Sequence, residues 1–177
     1  MEKFFLGLLI VLILLALPYF SKLYGLKKIH KSDIPETGDW VKLSRGNIYF
    51  EWFLPSSSVD PKGVMVLVHG FSTPSFVWGG LINNFVNAGY KVLVYDHFGR
   101  GFSERPRVAY DKSLYLETLQ ELIISQNIEE SVHLVGYSMG GPIVGYYADT
   151  YPDDTKSVSL IAPAGFSKVT SATKSWR

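Results

Sequence analysis

Residues 132–141 read Val132-His133-Leu134-Val135-Gly136-Tyr137-Ser138-Met139-Gly140-Gly141, and this stretch decides the fold. Val132, Leu134 and Val135 make the short apolar run of a buried strand, and the following residues to 150 have helical length. Between them stands the pattern G-x-S-x-G. A serine placed directly after a strand and directly before a helix sits on a strained turn that presents its hydroxyl at the C-terminal edge of a sheet. Gly136 and Gly140 leave room there, since a Cβ on either flank is expected to crowd the other across the tight turn. The helix N-terminus offers its dipole and free N–H groups to developing negative charge.

Outward from this turn, strands and helices alternate. Residues 64–68 (VMVLV) and 92–95 (VLVY) are continuous apolar runs, as strands covered on both faces of a parallel sheet require, and 158–161 (VSLI) is a further strand. Residues 76–88 and 113–126 have helical length, and Gly89 is a natural end for the first. Strands recurring about every thirty residues with helices between them form βαβ units. Ahead of these, residues 40–43 and 47–54 alternate around the turn Ser44-Arg45-Gly46-Asn47 and predict a hairpin. The expected fold class is α/β, a mostly parallel sheet flanked by helices.

Composition narrows the function. The 177 residues carry 17 Lys+Arg against 16 Asp+Glu, no Cys, and 47% hydrophobic side chains. A net charge of +1 supplies no basic field, so nucleic acid is not an expected partner. Without Cys there is no thiol nucleophile, disulfide or Cys-ligated metal. No metal site, nicotinamide fingerprint or P-loop is legible, because Gly99-Arg100-Gly101 lacks a third glycine and opens no helix. No cofactor is expected.

Residues 4–20 (FFLGLLIVLILLALPYF) carry no charge. At 1.5 Å per residue they cover roughly 25 Å, just short of a hydrocarbon layer of ~30 Å. Tyr19, Phe20 and Tyr24 at headgroup level and a snorkelling Lys22 close the gap, so a single transmembrane helix over 1–24 is expected. A cleaved signal peptide is the alternative, but residues 16–21 lack a small-x-small pattern. Lys22, Lys27, Lys28 and Lys31 follow the segment and only Lys3 precedes it, which places the domain on the cytoplasmic face. The organisation read is an anchor over 1–24, a linker over 25–38 and an α/β domain over 39–177.

Acyl transfer to Ser138 needs two N–H donors for the tetrahedral oxyanion. The N–H of Met139 is one. The second is expected in the loop after strand 64–68, where Gly70 permits a close turn and Phe71 N–H is the candidate. His69 is read as a brace for this loop rather than as a general base. His97 and Arg100 are read as solvated loop residues, with a place at the site entrance as the alternative. His133 is read as a packed or hydrogen-bonded strand residue.

Three motifs, His69-Gly70-Phe71, Asp96-His97-Phe98-Gly99-Arg100-Gly101-Phe102-Ser103 and Gly136-Tyr137-Ser138-Met139-Gly140-Gly141, occur in the order and spacing of α/β-hydrolases. The chain from 39 to 168 resembles that superfamily, and its later part is similar to membrane-anchored monoacylglycerol lipases and bacterial serine esterases. The resemblance implies Ser138 as nucleophile, the Phe71 and Met139 backbones as oxyanion hole, and Asp96 as structural support. It also implies a small-molecule or lipid ester as substrate and leaves protein partners open. In this fold the order is Ser, then acid, then His, yet no His follows Ser138. Asp149, Asp153 and Asp154 fall at a helix end and its turn, away from the edge where the serine points. The stretch is thus expected to be the N-terminal part of the fold, cut after its sixth strand. Two classes of function follow from it: a membrane-associated serine hydrolase cleaving carboxylic esters, or a non-catalytic anchored binding module.

Overall fold

The computed structural model describes residues 2–24, 29–58 and 60–165. The chain forms two compact units, Met1–Asp33 and Ile34–Arg177. The first contains α1 (Glu2–Tyr24), with Pro18 inside it, and a short 3₁₀ turn, Lys31–Asp33. Its apolar side chains, among them Phe5, Leu9, Leu12, Leu15 and Phe20, are exposed.

Among the described residues, no helix is long and apolar enough to cross a membrane. The expected transmembrane segment is therefore not supported. The uncharged stretch 4–20 rises only roughly 25 Å as a helix, less than the ~30 Å of hydrocarbon a span must match. The side chains of Lys22 and Tyr24, the residues Lys27 and Lys28, and the tail 167–177 lie outside the described residues.

The second unit is built on a six-stranded sheet. Its strands are β1 (Gly38–Leu43), β2 (Gly46–Phe53), β3 (Val64–Val68), β4 (Lys91–Tyr95), β5 (Val132–Tyr137) and β6 (Thr155–Ile161), and its helices are α2 (Gly79–Asn87), α3 (Lys112–Ser125) and α4 (Gly140–Thr150). The order across the sheet is β1-β2-β4-β3-β5-β6. β4, β3, β5 and β6 run parallel, whereas the β1–β2 hairpin joins antiparallel through β2 to β4. The sheet is therefore mixed, with a parallel core.

Alternation along the central strands divides the core in two. Val66, Val68, Leu93, Tyr95 and Leu134 face α3 and α4, where they meet Leu119, Leu122, Val144 and Tyr147. Met65, Leu67, Val92, Val94 and Val135 face the other way, against Trp78 and Ile82. All five residues of β3 are buried, the consequence of cover on both faces. Asp111 starts α3 by accepting the Leu114 N–H at 3.1 Å, a side-chain cap typically worth ~1 kcal/mol.

The structure places β6 at a sheet edge, paired on one side with β5. Val158, Leu160 and Ile161 are exposed there.

Candidate active site

Ser138 follows β5 and precedes α4, and its φ is 52°. A side chain in this left-handed region is strained by about 1 kcal/mol or more, so the surroundings must enforce it. The Ser138 N–H donates to the Ile161 carbonyl at 3.0 Å, and the Ser138 carbonyl accepts from Gly141 N–H at 3.0 Å and Ala164 N–H at 2.9 Å. These three backbone bonds tie the turn to α4 and to the end of β6.

The flanking glycines serve close approach, each against a different neighbour. A Cβ on Gly136 would stand 2.4 Å from the Gly140 carbonyl oxygen, as the sequence suggests. One on Gly140 would stand 2.0 Å from the carbonyl oxygen of Val68. Gly140 is thus demanded by β3 running beneath the turn rather than by Gly136.

The loop after β3 lies directly against the serine. A Cβ on Gly70 would be 2.9 Å from Ser138 Cβ and 3.4 Å from Oγ. Met139 stands immediately before the first turn of α4. Among the described residues, neither the Phe71 nor the Met139 N–H donates to a protein acceptor. The two free donors belong to the residues that follow Gly70 and Ser138, a placement suited to negative charge developing on a substrate oxygen.

His69 is completely buried. Its Nε2 accepts the main-chain N–H of His97 at 2.9 Å, so its proton resides on Nδ1 and is donated to the Gly70 carbonyl at 2.7 Å. Burial holds the His69 pKa below the ordinary imidazole value, with nearby Arg100 adding to the shift. Both nitrogens are committed within the loop, and neither is available to Ser138.

His97 departs from its expected place in a solvated loop: it is fully buried. Its Nε2–H donates to the His69 carbonyl at 3.1 Å. Its ring packs against His69, Tyr95 and Tyr115 with centroids 4.2, 5.1 and 5.1 Å away. Burial, and secondly the neighbouring His69, push its pKa well below the ordinary value. The pairing follows from the strand order. The two imidazoles follow adjacent parallel strands, β3 and β4, and so reach the same sheet edge.

Asp96 is buried, and its carboxylate accepts Ser75 N–H at 2.7 Å and Phe102 N–H at 2.9 Å. Gly101, at φ 43°, passes so near that a Cβ would meet Asp96 Oδ2 at 1.8 Å. The carboxylate is consumed in shaping its own loop. Arg100, from that loop, reaches Phe71. His133 bonds Ser157 Oγ at 2.8 Å. Asp154 lies at the opposite sheet edge, where its carbonyl accepts Val132 N–H at 2.9 Å. The structure therefore gathers His69, Gly70, Phe71, Asp96, Gly136, Ser138, Met139 and Gly140 at one edge and leaves the late acidic residues away from it.

A small apolar cavity of about 150 Å³ adjoins Met139, walled by Leu116, Pro142, Ile143 and Tyr146 with Lys112 at its border. A larger one of about 610 Å³ lies at the other end of the parallel strands, against Trp52, Val64, Lys91 and Glu130. No Ser, Thr or Cys lines it. Among the described residues, no cluster of three or more His, Asp or Glu could hold a metal ion.

Mixed sheet, strained serine turn and facing loop define an α/β-hydrolase architecture. The family model for the alpha/beta hydrolase fold matches residues 63–177, and the chain belongs to that family. It is similar to Lipase 1 of Psychrobacter immobilis, 35% identical over 108 residues, which covers 58% of this chain and 32% of the lipase. It is also similar to a monoacylglycerol lipase of Mycolicibacterium smegmatis, 33% identical over 121 residues, 66% of this chain and 42% of that protein. The crystal structure of a bromoperoxidase from Bacillus anthracis superposes with a TM-score of 0.62 at 29% identity, over 71% of this chain and 44% of that one. The chain thus spans less than half the length of these relatives. Lipases are among the proteins it resembles.

Proposed function

We propose that this chain carries the acyl-accepting serine of a membrane-associated hydrolase for carboxylic esters, with monoacylglycerols or similar lipid esters as substrates. The observation that carries the reading is Ser138 at φ 52°, between Gly70 and the start of α4, with the Phe71 and Met139 N–H groups unengaged beside it. In the proposed step Ser138 Oγ attacks the ester carbonyl carbon and loses its proton to a base. The carbonyl oxygen, now negative, is held by the two N–H groups. Collapse expels the alcohol with a proton and leaves the acyl group on Ser138, to be released by water. His69, Gly70, Gly136, Gly140 and Asp96 support the site without touching substrate.

Among the described residues of the sheet-bearing unit, no imidazole is assigned as that base. No His follows Ser138; His69 has both nitrogens engaged, His97 donates its Nε2–H to the His69 carbonyl while its Nδ1 is buried without a partner, and His133 bonds Ser157. A serine without its base retains only what binding and the oxyanion hole supply. The exposed apolar side chains of α1 support its assignment to a lipid surface, and the excess of Lys after it supports a cytoplasmic domain.

Incubation with an activated fatty-acyl ester tests the chemistry. The reading expects an acyl mass increment on the peptide containing Ser138, absent from Ser138→Ala. An increment carried equally by Ser138→Ala contradicts it. Flotation with phospholipid vesicles tests α1, with Leu9→Glu/Leu12→Glu expected to remain at the bottom of the gradient.

A further inference from the structure

Phe71 is held from both of its peptide bonds. On one side, the Gly70 carbonyl accepts from His69 Nδ1 at 2.7 Å. A trans peptide is planar, so fixing that carbonyl aims the Phe71 N–H in the opposite direction. On the other side, the Phe71 carbonyl accepts the Arg100 Nε–H at 2.6 Å. The same guanidinium lies over the Phe71 ring, with Cζ 4.3 Å from the centroid. Phe71 is 62% exposed, so burial does little to restrain it.

We infer that Arg100 is a positioning residue for the oxyanion donor at Phe71, clamping that residue by its carbonyl and its ring together. The inference rests on the reading of Phe71 N–H as a donor to the substrate oxygen. Arg100 is itself well anchored. Its main-chain N–H donates to the His97 carbonyl at 3.0 Å and its Nη1 to the Gly99 carbonyl at 3.1 Å. The loop after β4 therefore reaches across to hold the loop after β3. His69 fixes the peptide before Phe71, and Arg100 fixes the one after it. Only a planar guanidinium can donate in its plane while stacking its face on a ring, so lysine cannot reproduce the clamp.

The test compares wild type, Arg100→Lys and Arg100→Gln by 15N relaxation of the Phe71 and Ser72 amides, by melting temperature, and by fluorophosphonate labelling of Ser138 with free imidazole present. The clamp predicts lower order parameters at these two amides in both variants, with melting unchanged. It also predicts a maximal labelling rate reduced about tenfold, part of the hundredfold typical for losing a whole donor, at similar half-saturation. Amide order and labelling equal to wild type in both variants overturn it. Loss of amide order without any Ser138 labelling in wild type keeps the clamp and removes the hydrolase reading.

Discussion

The main-chain N–H of His97 donates to Nε2 of His69 at 2.9 Å, and that bond determines where the His69 proton resides. It leaves Nδ1 to hold the Gly70 carbonyl, which in turn orients the peptide carrying the Phe71 N–H. A loop beside the nucleophile is thus governed by the protonation state of a buried imidazole with no access to the nucleophile itself.

Acid should therefore loosen this part of the fold. Both His69 and His97 have folded pKa values below the unfolded value of about 6.5. The unfolded chain binds more protons than the folded one between those values, so stability falls as pH falls through that window. Their stabilisation is fully present above ~6.5 and declines by up to ~1.4 kcal/mol per pH unit for each imidazole. Urea midpoints measured from pH 7.5 down to 5.5 check this. A flat profile would remove the neutral-pair account.

The strain at Ser138 predicts an unusual order of stabilities. Ser138→Gly relieves the positive φ, while Ser138→Ala retains it. The glycine variant should be the more stable of the two by about 1 kcal/mol, as read by urea denaturation.

Two glycines of α4 should respond oppositely to alanine. Gly140→Ala drives a Cβ to 2.0 Å from the Val68 carbonyl oxygen and should cost about 3 kcal/mol or abolish folding. Gly145 is exposed, with nothing within 4 Å of an added Cβ. Gly145→Ala should stabilise the helix by about 0.5–1 kcal/mol. Thermal melts of the two variants separate the expectations.

Asp96→Ala leaves the buried end of its loop without an acceptor for the Ser75 and Phe102 N–H groups. Such a loss is expected to cost about 2–4 kcal/mol, read as a lower urea midpoint. A change below ~0.5 kcal/mol would show that the carboxylate does not organise the loop.

The sequence is most legible where periodicity and turn chemistry coincide. VMVLV coincides with β3, and VLVY and VHLV lie within β4 and β5, because strands buried on both faces admit only apolar residues. The stretch read as one helix over 76–88 divides into a 3₁₀ turn, Ser75–Trp78, and α2, a local tightening without a periodic signal. The antiparallel union of β2 with β4 also escapes local reading, since pairing partners are chosen by tertiary packing. At the site, the G-x-S-x-G turn was readable from glycine spacing. The burial of His97 was not, because a histidine in a glycine-rich loop resembles a solvated one until its neighbouring strand is known.

The most direct test of the central claim is the rate at which a fluorophosphonate modifies Ser138, measured by peptide mass mapping with and without free imidazole beside Ser138→Ala. A slow adduct confined to Ser138 is expected, accelerated by imidazole acting as an added base, and absent from the variant. No adduct at Ser138 in the folded protein even with imidazole, or modification of other serines at the same rate, would contradict it.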